Sequence, residues 1–152
     1  MSPAPNRYHQ TISRNIEFLL LKYLERHPLG ELYDAPFDVY LSEHDVFQPD
    51  IVFVRKENSE VLTDAGVEGT PDFVVEILSP SNAYLDRKAK LRVYARTGVK
   101  ELWIVDPDSL QVQVYFLEQD AQSPTATHGA KDWFASPHFP GLKISVAEIF
   151  KR

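Results

Sequence analysis

The chain has 152 residues, 43% of them hydrophobic and 12% aromatic, which predicts one globular domain spanning residues 1–152. Its net charge of −6 argues against strong non-specific binding to nucleic acid, because that binding depends on neutralising phosphates. The chain has no cysteine, no signal-like N-terminus and no run of about 18 apolar residues. We therefore expect a cytoplasmic protein without disulfides or a membrane span.

The first predicted element is an amphipathic helix from about residue 8 to residue 26. Its apolar residues recur at helical spacing, namely Ile12, Ile16, Leu19, Leu20, Tyr23 and Leu24. Pro28 and Gly30 then supply stop signals. His9 lies on the apolar stripe, where a hydrogen-bonded core histidine is the default expectation. Glu17 lies on the flank of the stripe and could approach a site, but exposure is the expected outcome.

Three strands are predicted next. Alternating apolar residues predict a strand over residues 37–41, and the runs PDIVFV (49–54) and PDFVVEIL (71–78) predict two more. The segment 55–70 is polar and contains glycine, so it is expected to be a connection. We expect the two Pro-Asp strands to pair as antiparallel neighbours.

Both Pro-Asp strands carry carboxylates in apolar surroundings. Burial of Asp50 or Glu76 is costly unless the charge is paired or bound to a cation. Strand pairing could bring Asp50 near Glu76, and two hard oxygen ligands suit Mg²⁺, with Mn²⁺ as a substitute. A structural ion pair would also explain Glu76. Asp72 is expected only to start its strand, since Pro-Asp is common turn chemistry.

A second helix is predicted from the SPSN turn (79–82) to Thr97, with Gly98 as its stop. At about 100° per residue, Asp86, Ala89 and Lys90 fall in the stripe that should face the sheet. Leu91 lies away from the centre of that stripe, and Lys88 should be solvated. Lys90 is therefore the candidate catalytic lysine. Asp86 and Lys90 also have the spacing of an ordinary helix salt bridge, and the basic segment 87–100 taken alone is typical of a solvated face.

The remaining elements are two strands and a short terminal helix. ELWIVD (101–106) and QVQVYFL (111–117) predict strands joined by a turn at Asp106–Ser109. The polar segment 118–133 is the least ordered part by composition. Ser145 and Glu148 have capping-box spacing for a final helix.

The strings QPDIVFV, TPDFVVEILSPSN, D-x-x-x-K-x-x-x-Y and GVKELWIVDP resemble the Uma-two family of restriction endonucleases, in the PD-(D/E)XK nuclease superfamily. The resemblance covers nearly the whole chain. It implies an α/β, restriction-endonuclease-like core with a mixed central sheet flanked by helices. It also implies a Mg²⁺ site in which Asp50 and Glu76 match the motif acids. Leu78 replaces the superfamily lysine, and Lys90 matches a lysine that has migrated to the helix.

The leading hypothesis is a Mg²⁺-dependent endonuclease that cleaves DNA. Asp50, Glu76 and the Ile77 carbonyl would hold the metal, Lys90 would assist the attacking water, and Asp86 would orient Lys90. A homodimer is expected, because two active sites suit the cutting of two strands. One alternative is a nuclease-fold binding or assembly module without turnover. Another is a metal-free carboxylate pair as in glycosidases, although the sequence lacks an identifiable sugar-binding aromatic pattern.

Overall fold

The structure is a computed structural model that describes residues 6–79 and 84–152, without the side chains of residues 84–86. Its elements follow one another in this order: α1 (Arg7–Arg26), β1 (Gly30–Asp34), β2 (Val39–Tyr40), β3 (Val46–Phe47), β4 (Ile51–Arg55), a 3₁₀ helix (Lys56–Val61), β5 (Leu62–Thr63), β6 (Gly66–Glu68), β7 (Phe73–Ile77), α2 (Tyr84–Thr97), β8 (Glu101–Asp106), β9 (Gln111–Phe116), β10 (Ala126–His128), β11 (Trp133–Phe134), β12 (Ile144–Ser145) and α3 (Val146–Phe150). In the described residues, no helix is both long and apolar enough to cross a membrane.

A mixed six-stranded sheet lies at the centre, in the order β1-β4-β7-β8-β9-β10. Strands β7 and β8 are parallel, and every other neighbouring pair in this sheet is antiparallel. Helix α2 supplies the crossover that a parallel pair requires. The predicted mixed sheet and the antiparallel pairing of the two Pro-Asp strands are both confirmed.

The sheet is covered on both faces, which explains why β4 and β7 are almost uniformly apolar. On one face, the apolar stripe of α1 packs against Phe53 and Val75. On the other face, Tyr94 of α2 packs against Val52 and Val74. Because successive strand residues point to opposite faces, each strand feeds both cores. Polar groups can therefore reach solvent at the ends of the strands, between the two helices.

Several predicted boundaries are confirmed by local contacts. Gly98 ends α2 with a φ of 96°, a conformation that favours glycine. The Asp106 carboxylate closes the β8–β9 turn by accepting hydrogen bonds from the Ser109 hydroxyl and a backbone amide. Ser145 caps α3 by accepting from the Glu148 amide at 3.4 Å. The SPSN turn that was predicted to cap α2 lies largely outside the described residues.

Two other predictions are corrected, and one is extended. The alternation over residues 37–41 yields only the two-residue strand β2, which pairs with β3 and β6 in a separate sheet. The predicted end of α1 is confirmed at Arg26, and Gly30 also begins β1, where a Cβ would lie 2.3 Å from the Val54 carbonyl oxygen. Glycine is needed because two strands approach closely there. The polar segment 118–133 contains β10, which extends the central sheet.

Candidate active site

Asp50 and Glu76 meet at one end of the central sheet. Ile51 pairs with Val75, so the antiparallel register sets Asp50 opposite Glu76, at the carboxyl end of β7. The Asp50 Oδ2 atom accepts a hydrogen bond of 2.6 Å from the Ile77 amide. The two carboxylates predicted from strand alternation are therefore neighbours, and one of them is fixed to the backbone beside the other.

Glu76 is held by two donors from α2. Its Oε2 atom accepts a 2.5 Å hydrogen bond from the Tyr94 hydroxyl, and its Oε1 atom lies 3.4 Å from the Lys90 Nζ. The Lys90 ammonium also lies 5.8 Å from the centre of the Phe47 ring, within range of a cation–π attraction. The structure thus brings Lys90 to Glu76, with 29% of the lysine side chain still exposed.

Burial makes Glu76 an unusual carboxyl group. The pKa of Glu76 is raised from 4.5 to about 7, mainly by desolvation, and the nearby charge of Asp50 acts in the same direction. The Lys90 charge and the Tyr94 hydrogen bond act in the opposite direction and only partly offset burial. A cation at this place would relieve the same electrostatic cost that raises the pKa.

The face of α2 that meets the sheet differs slightly from the predicted stripe. Ala89 is exposed and Leu91 is buried, so the contact runs along Lys90, Leu91 and Tyr94. Lys88 is exposed, as predicted. The side chain of Asp86 is outside the described residues, so its predicted role toward Lys90 stays a prediction.

His9, on α1, is also part of this group. It was predicted only as a core histidine, and no motif marked it as functional. Its Nε2 atom lies 3.4 Å from Asp50 Oδ1, and the ring is buried as expected for a core histidine. The pKa of His9 is raised, first by its hydrogen bond to Asp50 and also by a backbone hydrogen bond at Ile77. No local pattern links His9 to Asp50, since they meet only when α1 packs across the sheet.

A cleft of about 510 Å³ opens beside Asp50 and His9 and extends to Glu17 and Asp34. The expected exposure of Glu17 is wrong, because the residue is only partly exposed. Desolvation raises the pKa of Glu17 to about 7, and the charge of Asp34 and a hydrogen bond to it raise it as well. A second cleft, of about 460 Å³, also reaches His9 and continues to Leu78.

Asp72 has a structural role, as the sequence predicted. Its Oδ2 atom accepts a 2.7 Å hydrogen bond from the Arg55 amide, and its Oδ1 atom accepts from the Asn58 side chain at 2.8 Å. These bonds fix the exit of β4 at the start of β7. The two Pro-Asp aspartates therefore lie at opposite ends of the strand pair, and only Asp50 faces the clefts.

The donor set at Asp50 and Glu76 fits Mg²⁺. This ion prefers oxygen ligands, keeps several waters, and is commonly held by one or two carboxylates. Among the described side chains, no group of three or more His, Cys, Asp or Glu residues is arranged to hold a metal ion. An ion here would therefore use few side chains, with water and substrate oxygens completing its shell.

Comparison with known proteins agrees with this geometry. The family model Uma2, described as "Putative restriction endonuclease", matches residues 1–147. The chain belongs to the Uma2 family. Among solved structures it is similar to a crystal structure described as a "putative nuclease belonging to DUF820" from Anabaena variabilis ATCC 29413. That match has a TM-score of 0.77 at 18% identity and covers 99% of this chain and 84% of the other. Curated proteins give no significant match.

Membership of the Uma2 family confirms the resemblance found in the sequence strings. The structural match confirms the fold class, a mixed α/β sheet with flanking helices. Together, the family and the neighbouring structure support a nuclease-like function. Fold alone does not assign chemistry to residues, so the roles of Asp50, Glu76 and Lys90 have to be argued from their surroundings.

Proposed function

We propose that this Uma2 protein is a Mg²⁺-dependent endonuclease that hydrolyses phosphodiester bonds in DNA, with Mn²⁺ able to replace Mg²⁺. The observation that carries the proposal is the meeting of three groups at the carboxyl end of β7. Asp50 is fixed by the Ile77 amide, Glu76 lies opposite it, and the Lys90 ammonium is 3.4 Å from Glu76. A buried carboxylate with a raised pKa, beside a cleft, is typical of functional sites.

In this proposal the Asp50 and Glu76 carboxylates and the Ile77 carbonyl bind the metal. When bound, the ion stabilises negative charge on the phosphate and lowers the pKa of water. The Ile77 amide holds Asp50 in place, so this ligand is oriented before substrate arrives. A group oriented in this way need not be reoriented during the reaction. The Tyr94 hydroxyl holds Glu76 beside Lys90, and Glu76 would turn from there toward the ion.

Lys90 has a different role, because its ammonium carries positive charge into a poorly solvated place. Its pairing with Glu76 holds it at the site, where it orients the attacking water and stabilises charge on the phosphate. Asp86, four residues before Lys90 in the sequence, is proposed to orient Lys90. Lys88 lies on the exposed side of the same helix and has no proposed role in the reaction itself.

The DNA backbone is proposed to lie along the clefts and the basic face of α2. His9 lines both larger clefts, and Leu78 lines the second of these and the small cavity at Glu76 and Lys90, so the three lie next to one another. Six of the sixteen basic residues lie between residues 87 and 100. Binding through phosphates would weaken steeply with added salt.

We also propose that the protein acts as a cytoplasmic homodimer. A symmetric pair is the commonest assembly and would offer one active site to each DNA strand. The absence of cysteine from the sequence suits a compartment where disulfides do not form. Light scattering coupled to gel filtration, with and without duplex DNA, tests the dimer.

The test of function is a cleavage assay with duplex DNA, single-stranded DNA and RNA in Mg²⁺, Mn²⁺ or EDTA. Wild-type protein should cleave DNA only with a divalent ion. Glu76→Ala and Lys90→Ala should each lower the rate by about 100-fold or more, the size of effect seen when one preorganised charge is lost. Lys131→Ala, which removes an exposed lysine outside α2, is the control and should stay within a few-fold of wild type.

The alternative, a nuclease-fold binding or assembly module, predicts different results. It predicts no cleavage of any substrate and no measurable binding of Mg²⁺ or Mn²⁺. Cleavage that persists in both Glu76→Ala and Lys90→Ala would instead show that the site lies elsewhere. Circular dichroism of each variant separates loss of activity from loss of fold.

A further inference from the structure

Two hydrogen bonds hold the helical turn that carries His9. It lies in the first turn of α1, where its amide donates a 2.8 Å hydrogen bond to the capping side chain of Asn6. The same turn is tied to the end of the chain, because the Tyr8 hydroxyl donates to the Phe150 carbonyl at 2.6 Å. Two anchors on one turn fix the direction in which the imidazole points.

The His9 ring contacts the same groups that the metal would use. The Nε2 atom of the ring lies 3.4 Å from Asp50 Oδ1. Asp50 itself accepts from the Ile77 amide and lies opposite Glu76 in the strand register. The imidazole is thus beside Asp50, at the place where the proposed ligands meet.

The contact with Asp50 places a nitrogen and an oxygen side by side. His9 Nε2 and Asp50 Oδ1 lie 3.4 Å apart, and both residues line the cleft of about 510 Å³. Two adjacent ligands of an octahedral ion, each about 2.1 Å from it, lie about 3 Å apart. A closer approach of about 0.4 Å would therefore bring the two atoms to the spacing of neighbouring ligands.

We propose that His9 Nε2 is a further ligand of the metal ion, so that the site takes a nitrogen as well as oxygens. This proposal rests on the metal site of the proposed function and refines the ion that fills it. Imidazole suits divalent transition ions such as Mn²⁺ better than Mg²⁺, which prefers oxygen throughout. The ion class is then a transition ion, with Mn²⁺ preferred over Mg²⁺.

Ion binding would need one adjustment in the described residues. The Glu76 oxygens face Tyr94 and Lys90, whereas His9 and Asp50 already lie side by side. This explains why no three acidic or histidine side chains form a ready group in the described part of the chain. His9 and Asp50 would receive the ion first, and Glu76 would turn toward it.

The test measures metal binding directly and does not depend on cleavage. Mn²⁺ is titrated into the protein by calorimetry, and pulsed electron paramagnetic resonance then detects coupling between Mn²⁺ and an imidazole nitrogen. Wild type should show the coupling and bind Mn²⁺ at least tenfold more tightly than Mg²⁺. His9→Ala should lose the coupling and bind Mn²⁺ at least tenfold more weakly, while its Mg²⁺ affinity changes less than threefold.

Two further variants keep the result interpretable. His44→Ala removes an exposed imidazole and should behave as wild type. His9→Gln keeps most of the side-chain volume and a polar group, and it should also lose the nitrogen coupling. Thermal unfolding in EDTA checks that each variant is folded.

The outcomes separate this proposal from the one it rests on. Binding of Mn²⁺ that is lost in Asp50→Ala, but without nitrogen coupling in wild type, would overturn the role of His9 and leave the carboxylate site intact. An unchanged Mn²⁺ affinity in His9→Ala would do the same. If wild type binds neither ion, both proposals fail.

Discussion

Two buried glutamates on neighbouring parallel strands have opposite surroundings. Glu101, at the start of β8, is completely buried, and its oxygens are met by the Ser136 hydroxyl at 2.7 Å, the His138 Nδ1 at 2.7 Å and the Trp103 indole at 2.8 Å. Glu76, near the end of β7, has one short hydrogen bond and one contact of 3.4 Å, and it borders a cleft. They lie at opposite ends of the same strand pair.

The difference shows that burial by itself does not mark a working carboxylate. Glu101 accepts from three side chains, so it ties the segment around residues 136–138 to the sheet. Glu76 has two donors and borders a small cavity of about 10 Å³, and burial raises its pKa. Buried charges that are fully hydrogen-bonded hold structure, while under-coordinated ones are available for binding.

The largest expected effect comes from removing the saturated glutamate. Glu101→Ala leaves three polar groups without a partner in the core and should lower the free energy of unfolding by about 3–5 kcal/mol. Urea denaturation followed by tryptophan fluorescence measures it. Ser136→Ala removes one donor and should cost about 1 kcal/mol. If Glu101→Ala is as stable as wild type, Glu101 does not hold the structure and the contrast with Glu76 is wrong.

The next largest effect is the dependence of the free energy of unfolding on pH, which arises from Glu76. Between pH 4.5 and about 7, unfolded Glu76 has lost its proton while folded Glu76 retains it. The folded state then binds more protons, so the free energy of unfolding falls as pH rises through this window. At 1.36 kcal/mol per pKa unit, the fall from Glu76 is about 3 kcal/mol.

Metal-free urea denaturation at several pH values between 4.5 and 8 measures this slope. Glu76→Gln should flatten most of it and be more stable than wild type at pH 8. Glu17 contributes a smaller fall of the same sign because it is more exposed and better screened. The raised pKa of His9 adds a fall above pH 6.5. A slope that is unchanged in Glu76→Gln would contradict the assignment.

The smallest effect concerns the one short hydrogen bond of Glu76. Tyr94→Phe removes the donor that lowers the pKa of Glu76, so that pKa should rise and the pH window should move upward. The cost at pH 8 should be about 1–2 kcal/mol, since a charged acceptor loses a partner. If the pH midpoint of the fall in the free energy of unfolding moves downward in Tyr94→Phe, Tyr94 does not support the charged form of Glu76.

Much of the site could be predicted because its main residues carry local signals. Apolar alternation in β4 and β7 sets the faces of Asp50 and Glu76, and their antiparallel pairing was predicted from the polar connection at residues 55–70. Helical periodicity placed Lys90 toward the sheet. It misjudged Ala89, since the mostly charged α2 has a narrow apolar face that leaves its orientation loosely defined.

The rest depends on packing that local patterns do not contain. His9 reaches Asp50 only through the position of α1 across the sheet. Strands β1 and β10 were missed because edge strands are half-exposed and their sequences, GELYD and ATH, carry little apolar alternation. Glu17 is partly buried, and its hydrogen-bond partner Asp34 comes from the missed strand β1.

The hydrogen bond from Tyr8 to Phe150 joins the first helix, α1, to the last helix, α3. Asn15 reinforces it by donating to the carbonyls of Ile149 and Lys151 at 3.0 and 2.8 Å. Residues near both ends of the described chain are thus neighbours in space, a geometry that tolerates circular permutation. A short linker from residue 152 to residue 6, with a new opening in the largely exposed turn at residues 118–123, should give a protein of different chain order in which α1 still holds His9 beside Asp50.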